Sequence, residues 1–188
     1  MSVGKDESAS VLVRSLGFRR LAFADALKET CMSAFGFSRE QVYGEGKMKP
    51  DPYWGASPGH FLQIVGTELF RNHIDLDFWV KRAMRRIDAE PDDNWALVDL
   101  RFENEARAVL DRGGFVVRID RPLAPGDPER SALHSSETAL DSFQSWSAVI
   151  VNDGTLEDLR ARVLRLYTML SLRSALRSDA SRSHHPCS

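Results

Sequence analysis

The run Leu97-Val98-Asp99-Leu100-Arg101-Phe102-Glu103-Asn104-Glu105 carries the densest chemistry in this chain. An apolar stretch ends in an acid, an arginine stands two residues on, and a helical pattern begins at once. In an alternating strand–helix protein this places Asp99 and Arg101 at the carboxyl end of a buried strand, where open sheets hold their ligands. There an acid can keep a hydrated metal ion, and an arginine can fork onto a phosphate or carboxylate. The acid can as readily cap a helix. A second set is Gln63, Thr67 and Arg71, spaced i, i+4 and i+8, so that they line one side of a helix. Phe61, Ile64, Val65 and Leu69 occupy another side. Gly66 inside that helix costs about 1 kcal/mol against alanine, which the close approach of a ligand or another backbone explains. The plain alternative is a solvated polar face with a Glu68–Arg71 pair. A third set is Gly4-Lys5-Asp6, just ahead of the first helical pattern, where backbone N–H groups and the helix dipole attract phosphate. A frayed, charged terminus fits those three residues alone equally well.

The elements that must position these residues alternate. Four short apolar runs, Arg20–Phe23, Trp95–Leu100, Phe115–Ile119 and Ala148–Val151, read as buried strands with helical patterns between them. This predicts an α/β fold, a mainly parallel sheet flanked by helices. Ala9, Leu12, Val13 and Leu16 recur at helical spacing up to Gly17, and a helix over 25–35 follows the first strand. Residues 36–59, rich in Gly, Pro and charge, form a loop or small subdomain. Further helices cover 61–69 and 78–87, and a short one through Ala106, Val109 and Leu110 closes at Gly113-Gly114. Residues 121–133, with Pro122, Pro125 and Pro128, read as a mobile flap. Thr155 caps a final amphipathic helix with Leu156, Leu159, Val163, Leu166, Tyr167 and Leu170 on its buried side. From about Arg173 the Ser/Arg/His-rich tail has no core-forming pattern and is expected to be disordered.

At 188 residues and 43% apolar content the chain is sized for one domain with a real core. A net charge of −2 gives no broad field for nucleic acid or membranes, so any anion site is local. Of the 25 basic residues only Lys5, Lys28, Lys47, Lys49 and Lys81 are lysines, a bias that coding composition alone can produce and that also suits phosphate recognition. Lys81-Arg82 with Arg85-Arg86 reads as a solvated face, since no aromatic interleaves. Trp54, Trp79 and Trp95 read as core, Trp79 with the option of lying near a ligand. Cys31 and Cys187 make no disulfide framework, no apolar run spans a bilayer and no signal sequence opens the chain, so a cytoplasmic protein is expected.

From Gly4 to about Leu170 the ordered motifs resemble the deoxynucleoside monophosphate kinase family, best known from bacteriophages. Gly4-Lys5-Asp6 resembles its Gly-Lys-Asp-Thr phosphate loop, and Phe23-Ala24-Asp25-Ala26-Leu27-Lys28 its Phe-Ala-Asp-Pro-Leu-Lys segment. Leu62-Gln63 with Gly66-Thr67-Glu68 and Arg71 resembles the substrate helix, and Asp99-Leu100-Arg101-Phe102 with Asn104-Glu105 the Asp-Val-Arg-Phe-x-Asn-Glu segment. His134 with Ser136-Glu137 is similar to the flap's His-x-Ser-Glu, and Asn152-Asp153-Gly154-Thr155-Leu156 to the closing Asn-x-Gly-Thr-Leu. Two departures stand out. The strand and first glycine of the phosphate loop have no counterpart after Met1, and Glu7 takes the place of the loop's Thr, with Ser8 behind it. A true start upstream is expected in preference to a lost donor site.

The resemblance implies a P-loop NTPase fold over residues 1–172, with a helical monophosphate-binding insert at about 36–90, a flap at about 121–137, and a tail from 173 to 188. It implies an enzyme that moves the γ-phosphoryl of ATP, with Mg²⁺, to a deoxynucleoside monophosphate. Such chemistry asks for positioning and charge neutralisation above all. By resemblance Lys5 bridges the donor phosphates, backbone amides of Gly4, Asp6 and Glu7 cradle them, and Arg121 joins from the flap. Asp6 and Asp99 serve the metal, with a helix cap as the equal alternative for Asp6. Asp25, Lys28, Gln63, Thr67, Glu68, Arg71 and Arg101 hold the monophosphate, Gln63 reading the base while Arg71 and Arg101 clamp the phosphate. Lys5, Asp99, Arg101 and Arg130 form the catalytic group, Arg130 closing from the flap, and His134 is a hinge rather than a base. No nucleic-acid or membrane partner is implied, a homodimer is compatible, and a phage enzyme would work in the host cytoplasm. Two alternatives stay open: another small-molecule P-loop kinase resembling phosphomevalonate kinases, and a non-catalytic nucleotide-binding relic.

Overall fold

The computed structural model describes residues 4–122, 140 and 142–182, with backbone alone for 177–182. In chain order it shows α1 (Lys5–Leu16), β1 (Arg19–Leu21), α2 (Phe23–Phe35), α3 (Arg39–Tyr43), a 3₁₀ turn (Glu45–Met48) and α4 (Pro58–Gln63). A π-helical stretch (Ile64–Ile74) continues α4, followed by α5 (Phe78–Asp88), β2 (Trp95–Leu97), α6 (Glu103–Asp111), β3 (Val117–Asp120), β4 (Ala148–Val151) and α7 (Leu156–Arg182). The chain divides into two compact units, Met1–Arg19 with Arg101–Ser188, and Arg20–Leu100. The fold is α/β, with one small sheet made by β1 and β2 and another by β3 and β4.

In the discontinuous unit β3 and β4 run parallel, Val117 opposite Ala148 and Asp120 opposite Val151. α1 packs on α7, and Val11, Ile150, Leu159 and Val163 form the buried core, with Leu12, Val117, Ile119 and Leu166 against it. α1 stops where Gly17 takes a left-handed φ of 71° and donates its N–H to the Leu12 carbonyl, a turn that glycine makes without a Cβ penalty.

In the continuous unit Cys31, Phe37, Val42, Leu62 and Val65 make the core, joined by Leu27, Phe35, Phe61 and Phe70. The Gly- and Pro-rich segment therefore folds as a small helical subdomain. Ser38 opens α3 by accepting the Gln41 N–H at 3.2 Å, while the Gln41 side chain accepts the Ser38 N–H at 2.9 Å. Trp54 closes the aromatic cluster from above, donating Nε1–H to the Phe35 carbonyl at 2.9 Å with 42% of its surface exposed.

Several boundaries differ from the sequence expectation, each for a physical reason. β1 ends at Leu21, and α2 starts at Phe23 rather than Asp25, because a carboxylate distant in sequence caps the earlier turn. β2 ends at Leu97, before that same carboxylate. β3 is displaced to Val117–Asp120, leaving Phe115 41% exposed. Leu69, expected on the apolar side, is 47% exposed, because i→i+5 winding brings Phe70 rather than Leu69 over Val65. α7 continues past Arg173 to Arg182, through a stretch of Ala, Leu and Arg that glycine and proline do not interrupt. The flap expectation over 123–133, with Arg130 and the motif residues His134, Ser136 and Glu137, falls outside the described residues, as do His184, His185 and Cys187. No described helix is long and apolar enough to cross a membrane.

Candidate active site

The amino end of α1 is built around Gly4, whose φ of 103° lies in the left-handed region. A Cβ there would stand 2.8 Å from Asn152 Nδ2 and 2.9 Å from Leu159 Cδ2, so the position needs glycine for room as well as for angle. Among the described residues no side-chain cap bond closes this end. The first N–H groups of a helix have no partner within it and carry the positive end of its dipole. Lys5 and Asp6 are exposed beside them. Glu7 is committed elsewhere, its carboxylate accepting from Arg160 Nε at 2.6 Å, which ties the first turn of α1 to α7. One turn in, Ser8 Oγ is buried with no hydrogen-bond partner among the described residues. Of the four residues Gly4 to Glu7, Gly4 is buried, Lys5 and Asp6 are exposed, and Glu7 is half-buried against α7.

The loop after β4 supports this end. Thr155 donates its N–H and hydroxyl to Asp158 Oδ2 at 2.9 and 2.8 Å, and the Asp158 N–H returns a bond to Thr155 Oγ1 at 3.2 Å. The amide, and then the hydroxyl, of Thr155 hold the Asp158 carboxyl below the usual aspartate range. This closed turn fixes the chain that sets Asn152 against Gly4. In the same unit Glu105, 2% exposed, accepts the N–H groups of Arg101 at 2.7 Å and Phe102 at 3.1 Å. The backbone of Arg101 is thereby anchored while the residue stays exposed. Arg121 is exposed just past the carboxyl end of β3.

An uncapped helix end behind a glycine cradle, with a lysine in its first turn, fits a polyphosphate. Among the described residues no three His, Cys, Asp or Glu side chains gather as a metal cage. Mg²⁺ needs none, since it keeps several waters and binds one or two carboxylates plus substrate phosphates. Asp6 fits that sparse role.

In the other unit the amino end of α2 is closed. Asp99 Oδ1 accepts the Phe23 N–H at 2.7 Å and Oδ2 the Ala24 N–H at 3.0 Å. Asp25 Oδ2 accepts the Ala22 N–H at 2.9 Å and pairs with Arg20 Nη1 at 3.2 Å. The capping chemistry open to Asp99 is therefore realised, on α2 rather than on the helix that follows it in sequence. Each oxygen retains a lone pair for a further donor. Lys28, one turn along, is half-buried, and its pKa is lowered by burial first and by Lys47 next.

Gln63, Thr67 and Glu68 lie exposed at the α4–π junction, and Arg71 is half-buried. π-helical segments are rare and recur at functional sites. Gly66 is explained by packing: its Cβ would meet Leu27 Cδ2 at 2.6 Å, and its carbonyl accepts Trp79 Nε1–H at 2.9 Å. Trp79 is thus a core residue, 5% exposed. Asp25, Lys28 and Asp99 come together around the start of α2. Sequence reasoning read Leu159 only as a buried face of the last helix and gave no role to Arg160. Asn152 stood in a noted motif, but nothing local announces that it walls in Gly4.

Residues 54–163 match the family model described as deoxynucleotide monophosphate kinase. A protein of Acanthamoeba polyphaga mimivirus named as a deoxynucleotide monophosphate kinase is 35% identical over 178 residues, 86% of this chain and 89% of that protein. The deoxynucleotide monophosphate kinase of Enterobacteria phage T4 is 30% identical over 105 residues, 54% of this chain and 42% of its own.

Proposed function

Because the chain belongs to the deoxynucleotide monophosphate kinase family, we propose that it transfers the γ-phosphoryl of ATP to a deoxynucleoside monophosphate, releasing ADP and the deoxynucleoside diphosphate. The observation that carries this reading is the uncapped amino end of α1, with Lys5 beside it and Gly4 held in a left-handed cradle. The finer fold assignment is a P-loop NTPase, with Gly4–Glu7 as the end of its phosphate loop.

An oxygen of the acceptor phosphate forms the new P–O bond while the bond to the β,γ-bridging oxygen breaks. No covalent enzyme intermediate is needed, so the protein works by alignment and charge. Lys5 and the first N–H groups of α1 hold the donor phosphates and neutralise charge as it moves toward the leaving ADP. Mg²⁺, when bound, would add charge neutralisation on the phosphates, with Asp6 as the carboxylate at its water shell. Arg71 clamps the acceptor phosphate, Gln63, Thr67 and Glu68 contact the nucleoside, and Asp25 with Lys28 supports the same ligand, while Arg101 in the other unit is a phosphate-binding arginine. Asp99 also keeps α2, and with it Lys28, in position. Arg121, and Arg130 beyond the described residues, add positive charge from the flap.

The test is ³¹P NMR of the protein with ATP, Mg²⁺ and each of the four deoxynucleoside monophosphates in turn. ADP and a deoxynucleoside diphosphate should accumulate together and only when the acceptor is present. ATP loss without an acceptor, or no turnover with any of the four, contradicts the assignment.

A further inference from the structure

Glu105 is the only charged residue buried among the described residues, with 2% of its surface exposed. It stands third in α6. The residues at the same position of α2, α3 and α7 are Asp25, Gln41 and Asp158, which are half-buried or exposed. An acid or amide there ordinarily returns a bond to the backbone N–H of the N-cap residue. Oε2 of Glu105 accepts that N–H, from Phe102, at 3.1 Å. Its shorter bond, 2.7 Å, is to the N–H of Arg101, one residue before the cap. Phe102 has no side-chain oxygen to make the other half of a capping box.

Burying a carboxylate costs more than a helix cap contributes, so the stability of α6 alone does not account for this one. What the arrangement fixes is a direction. The N–H groups of the peptide units before and after the Arg101 Cα both point at one oxygen. That holds the two peptide planes, hence φ and ψ at Arg101, and with them the line of its Cα–Cβ bond. A charged acceptor makes the stronger bonds, and exclusion of water strengthens them further. Arg101 itself is exposed, so burial does not set the course of its side chain.

We infer that Glu105 is a positioning residue for phosphoryl transfer, acting through Arg101 by fixing the backbone from which that arginine reaches the phosphates. This rests on the proposed phosphate-binding role of Arg101 and adds the residue that sets its direction. Both residues belong to one unit. At 2% exposure Glu105 does not itself meet substrate.

A double-mutant cycle on kcat/KM tests it, with a melting curve for each variant and all assays run below the lowest transition. Arg101→Ala should lower kcat/KM about a hundredfold. Glu105→Asp, one methylene too short to reach both N–H groups, should lower it about tenfold, since a misplacement of about 1 Å can cost as much or more. In the Arg101→Ala background the same change should alter kcat/KM by less than about twofold, because no guanidinium is left to aim. Glu105→Gln keeps an oxygen in reach and gives up the charge. It should lie between wild type and Glu105→Asp, with the same dependence on Arg101. A Glu105 that only stabilises α6 would lower activity by the same factor in both backgrounds. That result for either variant overturns the inference, as does wild-type activity in Glu105→Asp. Wild-type turnover in Arg101→Ala overturns the role of Arg101 and the inference with it. An impaired Arg101→Ala with simply additive effects overturns the inference alone.

Discussion

Two helix amino ends in this protein are built in opposite ways. At α2, Asp99 and Asp25 take up the backbone N–H groups of Ala22, Phe23 and Ala24. At α1, no side-chain cap bond is made among the described residues, glycine with positive φ enters the helix, and neighbouring side chains wall in that glycine. A capped helix end contributes stability, typically about 1 kcal/mol for the cap. An end left open in a folded protein has its N–H groups and dipole available to an anion. On the proposed function, the first end serves structure and the second the donor ligand. It also shows how one residue type, an acid beside a helix start, can mean either, since Asp6 stands at the open end and Asp99 at the closed one.

The largest effect should come from the open end. Lys5→Ala should lower kcat/KM at least about a hundredfold, the scale seen when one charge-stabilising donor is lost, while melting temperature holds because the side chain is exposed. A steady-state assay with a melting curve reads both. At the closed end the balance inverts: Asp99→Ala should lower stability by about 1–3 kcal/mol in urea unfolding, because two N–H groups lose their acceptors. Asp99→Asn, which keeps one acceptor, should fall between. Gly4→Ala should cost about 1–2 kcal/mol from the left-handed backbone alone, with ATP binding falling in parallel as Asn152 and Leu159 are pushed aside. Arg160→Gln, which cuts the partly exposed pair with Glu7, should cost less than about 1 kcal/mol.

The smallest effect is one of pH. Thr155 holds the Asp158 carboxyl below its ordinary range, so its contribution is present above the unfolded aspartate pKa and is lost as pH falls through the lower folded value. Melting temperatures of wild type and Asp158→Asn should differ at neutral pH and converge in acid below the ordinary aspartate range.

What the sequence made legible follows the range of the interactions. Helices with local signals were readable: α1 ends at its Gly17 stop and Thr155 opens α7, whereas the Ser38–Gln41 box of α3 was passed over inside a segment read as a loop or small subdomain. The start of α2 was not, because the acid that fixes it stands 75 and 76 residues away from the amides it accepts. Leu69 was misplaced for a different reason, since a π-helical stretch breaks the period on which the apolar side was read. The candidate residues themselves were visible as types and spacings, Lys5 behind a glycine and Arg101 past a strand. Which acid caps and which stays open is three-dimensional information, as is the meeting of Lys28 and Arg39 on the Tyr43 ring.

The central claim is a division of labour: the open end of α1 holds the donor phosphates, and the π-helical face with Arg71 holds the acceptor. Calorimetry of Lys5→Ala and Arg71→Ala with ATP and a deoxynucleoside monophosphate, each titrated alone, tests it most directly. Lys5→Ala should lose ATP affinity and keep the monophosphate, and Arg71→Ala should do the reverse. Equal weakening of both ligands in either variant, or unchanged ATP affinity in Lys5→Ala, would contradict the division.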